Sequence, residues 1–224
     1  MNTTWQLYLA WIALAGLVGF ASSYIFAGRM HLSRRYFLIP YVILSSLFFY
    51  SFISWSGISL REMILHNWVG GLAGAILLAA FLIKNILSQP ASQRTKGALL
   101  AWDVFWLGVV YGLTDALLLS VFPVLAAWQA FELLGWTTSW YGGLLTGLIA
   151  VFASLLVTIA YHFGFQEYHG KGMRGPVIGN TTMTFGYLLT ANPLAAMLSH
   201  MAMHIAGVFH GPATVVQLPP HYPS

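Results

Sequence analysis

Charge is scarce in this sequence. Nine basic and five acidic residues among 224 make 6% of the chain, where a soluble globular domain carries about 25%. So few charged side chains cannot coat a water-facing surface, and 58% of the residues are hydrophobic, so the surface that remains must face lipid. Cysteine is absent, which excludes disulfides, thiolate metal ligands and a cysteine nucleophile. Residues 1–28 contain no Lys or Arg, so the basic start of a cleaved signal peptide is missing and the apolar run 5–27 reads as a retained first helix. Residues 175–224 contain no Lys, Arg, Asp or Glu, which leaves a late span without the lysine that a retinal protein needs. Gly164, Gly170, Gly172 and Gly175 lack the spacing of a nucleotide-binding loop. Intramembrane charge is also too sparse for a transporter of charged substrates.

Long apolar runs are what the chain does have. About 20 apolar residues cross the hydrocarbon core of a bilayer. Runs of that kind fall near 5–27, 37–56, 66–87, 99–122, 140–163, 175–191 and 193–210. The expected fold is an all-α polytopic transmembrane bundle of about seven spans in a single domain, partnered by the lipid bilayer. The apolar stretch 123–139, which holds Pro123, Glu132 and Gly135, is expected to lie at the interface or to re-enter it.

Orientation follows from the basic residues. With the N-terminus outside and the C-terminus cytoplasmic, the inner side holds Arg29, Arg34, Arg35, Lys84, Arg94, Lys96, Lys171 and Arg174, and the outer side only Arg61. That asymmetry is the signature of cytoplasmic loops, and it implies a plasma (inner) membrane. It also accounts for the +4 net charge without a nucleic-acid partner. Trp5, Trp55, Trp68, Trp128, Trp136 and Trp140 fall near the outer interface and Trp102 and Trp106 near the inner one, where amphipathic rings prefer to sit. The pairs Gly70/Gly74 and Gly143/Gly147 are candidate helix contacts. The proline-rich tail after Gly211 reads as an extended segment on the surface.

Ionisable groups inside spans are costly and need a cavity or a partner. Asp115, His162, His200 and His204 are the candidates. His200 and His204 are four residues apart, so on a helix their rings share one face and can hold a metal between them. Asp115 stands in the middle of an apolar run as a general base, a third metal ligand or a hydrogen-bonded packing residue. At 1.5 Å per residue, Asp115, His200 and His204 come to similar depths, while His162 comes out near the inner surface. Asp103 is expected to reach water at the inner interface. The segment 162–171 reads mainly as a solvated polar loop.

Three stretches together resemble the type II CAAX-processing and bacteriocin-processing membrane endopeptidases. Residues Tyr111-Gly112-Leu113-Thr114-Asp115-Ala116-Leu117-Leu118-Leu119-Ser120 resemble that family's Glu-Glu-x-x-x-Arg motif. Ser154-Leu155-Leu156-Val157-Thr158-Ile159-Ala160-Tyr161-His162 is similar to its Phe-x-x-x-His motif, and 193–204, ending in His200-Met201-Ala202-Met203-His204, to its His-x-x-x-Asn motif. Thr114-Asp115 stands where the glutamate pair would be, Leu119 for the arginine, Thr158 for the phenylalanine and His204 for the asparagine. The resemblance spans about residues 100–210. It implies an intramembrane hydrolase fold with Asp115, His162, His200 and His204 as a degenerate catalytic set.

Two other functions compete with that implication. Methionines among the histidines (Met197, Met201, Met203) favour copper(I) over harder ions, and a bis-histidine haem is conceivable. Small size and minimal loops suit a non-catalytic subunit of a larger membrane complex. A divalent metal, copper or haem at Asp115, His200 and His204 is therefore the cofactor expectation.

Overall fold

The computed structural model describes residues 4–213, 215 and 218–221. Those residues form helices and connections, with no strand among them. In chain order the helices are α1 (Trp5–Arg29), α2 (Arg34–Ser56), the short α3 (Leu60–Leu65), α4 (Trp68–Leu87), α5 (Gly97–Leu133), α6 (Trp140–Phe163), α7 (Arg174–Thr190) and α8 (Leu194–His210). Five of them, α1, α2, α4, α5 and α6, are long and apolar enough to cross a membrane, as in an integral membrane protein. α7 and α8 have 17 residues each, or about 25 Å of helix against the roughly 30 Å of a hydrocarbon core.

Helix ends follow local chemistry. Ser139 caps α6 by accepting the Gly142 N–H at 3.3 Å, and Ser59 caps α3 by accepting that of Glu62 at 3.3 Å. Gly57, at φ 71°, ends α2 in the left-handed conformation that a side chain disfavours. Asn192, fully buried between α7 and α8, donates to the carbonyls of Ile64 and His66. That amide ties the α7–α8 turn to the connection before α4.

α5 differs from the expectation. It does not stop near 122: residues Phe122–Leu133, expected at the interface, continue the same helix. The result is a rod of 37 residues, about 55 Å if α-helical throughout. Its apolar window is 72% buried, against 22–33% for the other four long helices, so α5 is the core and the others surround it. Pro123 explains how the rod passes the point where a stop was expected. Without an N–H, it cannot bond the carbonyl of Leu119 four residues back. That carbonyl instead accepts the Ser154 hydroxyl at 2.6 Å and the Asn180 amide at 3.4 Å. Ser120 donates to Asn180 Oδ1 at 2.6 Å, so α6 and α7 supply the bonds the proline removed.

α8 packs against α4, α5 and α7, and α6 against α1, α5 and α7. The α5–α8 crossing is set by Gly108 and Gly112. A Cβ on Gly112 would stand 2.7 Å from the Met201 Cα, and one on Gly108 would stand 2.8 Å from the Ile205 side chain. The expected pairs behave differently. Gly74 does face α7 and α8, at Thr190 and Ala195, but a Cβ on Gly143 would meet nothing within 4 Å.

Two polar expectations change as well. Asp103 does not reach water: it is 2% exposed and accepts two bonds of 2.8 Å from Arg35 and one of 2.7 Å from Thr95. Its carboxylate needs that fork because a buried charge must be paired and hydrogen-bonded. The described part of the tail beyond Ala213 packs into the protein rather than along its surface. Val215 and Leu218 are fully buried, the Pro212 carbonyl accepts from Arg34 and the Pro219 carbonyl from Tyr111.

Candidate metal centre

Asp115 sits between two stretches of π-helical turns, Val104–Val110 and Ala116–Val121. Such turns carry more residues each than α-helix, re-aim side chains and recur at functional sites. The small-residue crossing with α8 then brings this face of α5 against the face that His200 and His204 share. Asp115 Oδ2 lies 3.9 Å from His200 Nε2 and 3.6 Å from His204 Nε2. One ligand atom from each of the three residues lies within 4.8 Å of the other two, and all three are buried.

The other carboxylate oxygen is held. Tyr41, on α2, donates its hydroxyl to Asp115 Oδ1 at 2.6 Å. Tyr41 stacks on Tyr161 with ring centroids 5.0 Å apart, and the Tyr161 and Tyr111 hydroxyls are 2.8 Å apart. Tyr111 has one proton and gives it to the Pro219 carbonyl at 3.0 Å, so Tyr161 is the donor to Tyr111. The Tyr111 ring also meets His204 edge-on at 4.6 Å. A file of phenols thus runs from the buried tail to the carboxylate.

The histidines are short of partners. Nδ1 of His200 is buried with no hydrogen bond among the described residues, and the two ring nitrogens of His204, likewise buried, make no well-formed one, the Leu107 backbone being the polar group that lies close to that ring. Arg34 Nε, the Tyr168 phenol and several aliphatic hydroxyls, including Ser45 and Thr158, are in the same position, but an aliphatic hydroxyl can rotate toward a carbonyl one helical turn back. An imidazole held by its packing cannot. Orphaned buried nitrogens of this kind call for an occupant.

His162 lies nearer the centre than the depth reckoning placed it. A cavity of about 20 Å³ is lined by His162, Asp115, His200, Asn180, Met183 and Met203, among others. It has room for roughly one water. The cavity is also lined by Gly175 and Pro176 at the start of α7, so it extends from Asp115 toward the end of α6 at which His162 sits. The His162 Nδ1 donates to the Thr158 carbonyl at 2.8 Å, which leaves Nε2 as an acceptor. Tyr168 packs edge-on against His162 at 4.8 Å. Burial, with the Glu167 carboxylate beside it, holds the Tyr168 phenol well above its usual pKa, so it stays neutral.

Sequence reasoning named Asp115, His162, His200 and His204 but missed Tyr41, Tyr111 and Tyr161. Tyrosine is unremarkable in a chain with eleven of them, and no short spacing links position 41 to 115. No family model, curated protein or solved structure matches this chain.

Proposed function

We propose that this chain is a seven-span membrane protein, N-terminus outside, that holds one divalent transition-metal ion, zinc by its donor set, through Asp115, His200 and His204. The observation that carries the reading is the pair of carboxylate-to-imidazole distances, 3.6 and 3.9 Å. Both exceed a hydrogen bond. Ligands on a tetrahedral zinc, with bonds of 2.0–2.2 Å, stand about 3.3–3.6 Å apart, so the Asp115–His204 pair is at that spacing and the set, whose ligand atoms lie within 4.8 Å of one another, closes on an ion by turning the His200 ring inward. Tyr41, bonded to the far carboxylate oxygen, is the outer support such ligands usually have. The seven crossings and the plasma (inner) membrane rest on the eight-to-one bias of basic residues.

A second reading, hydrolysis in the manner of the CAAX-type endopeptidases, is favoured by His162 sharing the one-water cavity with Asp115 and His200. Zinc bound there would supply Lewis acidity. The chain's own part would be His162 Nε2 accepting a proton from water, with the Thr158 carbonyl fixing the tautomer. Copper(I) is the competing ion, because Met183 and Met203 line the same cavity. Haem does not fit: pockets for ligands of that size measure at least about 300 Å³, and the two central histidines lie on one helix turn.

The test is metal content. Protein purified without chelator and analysed for zinc, copper and iron should carry about one zinc per chain, and His204→Ala should lower the affinity by at least tenfold. One copper instead would transfer the site to the thioether reading. A metal-free protein that takes up neither ion, with wild type and His204→Ala alike, would falsify the centre.

A further inference from the structure

A second site lies at the end of α1 and outside the metal centre. There a cavity of about 530 Å³ opens between the last turns of α1 and the connection after α6, lined by Phe20, Tyr24, Arg29, Phe163, Gln166 and His169 among others. The backbones meet closely beneath it, where a Cβ on Gly28 would stand 2.9 Å from the Gly164 carbonyl. Arg29 lies along one wall. Its Nε donates to the Tyr24 hydroxyl at 3.0 Å and its guanidinium sits 5.5 Å from the centre of that ring. Among the described residues neither terminal nitrogen of the fork has a hydrogen-bond partner and no carboxylate pairs with Arg29. Aromatic faces flank the cation: Phe20 stacks on Tyr24 at 5.3 Å, and across the cleft Phe163 lies 4.7 Å from His169. Tyr24 and Phe163 are 40% and 55% exposed on the outside of the bundle, in line with exposed Leu17, Ile25 and Leu156 on the lipid-facing sides of the same two helices.

We infer that this cleft binds the phosphodiester headgroup of an anionic phospholipid, with Arg29 as the anion ligand and the acyl chains along the α1–α6 groove. A guanidinium whose terminal nitrogens have no partner among the described residues presents two parallel N–H donors that match phosphate oxygens. A basic pocket between helices at the polar end of a span is where anionic lipid headgroups are recognised. The apolar half selects a lipid over a free anion, since inorganic phosphate has nothing to place against Phe163 and Tyr24. A positive charge with no carboxylate against it among the described residues favours a net-negative headgroup over a zwitterionic one.

Full-length protein reconstituted with equal amounts of phosphatidylglycerol and phosphatidylcholine, then gently delipidated and weighed by native mass spectrometry, tests the assignment. Wild type should retain phosphatidylglycerol preferentially. Arg29→Ala should lower its occupancy roughly five- to tenfold, with Arg29→Lys intermediate and Arg61→Ala, on α3, unchanged. Matching far-UV circular dichroism of the variants keeps the comparison at the site. Equal retention by Arg29→Ala overturns the proposal, and so does a preference for phosphatidylcholine. Displacement by inorganic phosphate at the lipid's own concentration would show a free-anion site and sink the lipid assignment.

Discussion

Tyr41 illustrates how one side chain sets the chemistry of another. Its hydroxyl fixes Asp115 Oδ1 at 2.6 Å and so turns Oδ2 toward the two imidazoles. Removing a support of this kind typically costs 10–100-fold in metal affinity. Tyr41→Phe, which keeps the ring and its stack on Tyr161, should weaken zinc binding by about that factor while leaving the fold intact. Competition against a chelating dye measures it, and an unchanged dissociation constant would mean that Tyr41 serves packing alone. Residue types were the part of the centre legible beforehand, because a carboxylate and an i, i+4 histidine pair are conspicuous in apolar runs. Tyr41 was not legible, since its partner lies 74 positions away.

Among the elements, the α5–α8 crossing matters most for the centre. Asp115 can face His200 and His204 only while the two helices stay as close as Gly112 permits. Gly112→Val would drive methyl groups into the Met201 backbone, where even a Cβ stands at 2.7 Å. Overpacking of this kind costs about 1–3 kcal/mol, and here it also separates the ligands. The expected outcome is a lowered unfolding temperature in detergent together with loss of zinc. A variant that is destabilised but still binds zinc at full affinity would show that the crossing does not position the ligands. The glycine spacing Gly108/Gly112 was present in the sequence alongside four other pairs, and nothing in the spacing ranked them. Pro123 misled for a related reason. Proline predicts a stop when its lost hydrogen bond goes unanswered, and Ser154 and Asn180, which answer it, come from other helices.

At the scale of the whole molecule, described residues of the tail are tied to α2, α5 and the connection after α6. Val215 and Leu218 are buried, and His221 meets Glu167 at 2.9 Å and the Val215 carbonyl at 2.6 Å. Composition marked this stretch as extended and proline-rich, but which surface it would cover depended on the fold. The topology can be tested directly because the chain has no cysteine of its own. Single cysteines at Lys96 and Lys171 should react with a membrane-impermeant maleimide only after the cells are opened, and one at Arg61 should react from outside. Labelling of Lys171 and Arg61 from the same side would overturn the seven-span alternation.

Hydropathy alone determined that this chain is helical and where most of its helices run, because bilayer thickness sets the length of an apolar run and lipid requires every backbone hydrogen bond to be made within it. Which faces meet was decided only by tertiary structure. The rotation of each helix, the π-helical turns around Asp115, the glycine crossing and the route of the tail depend on contacts between residues far apart in the chain, and those contacts carry no local period for a sequence to display.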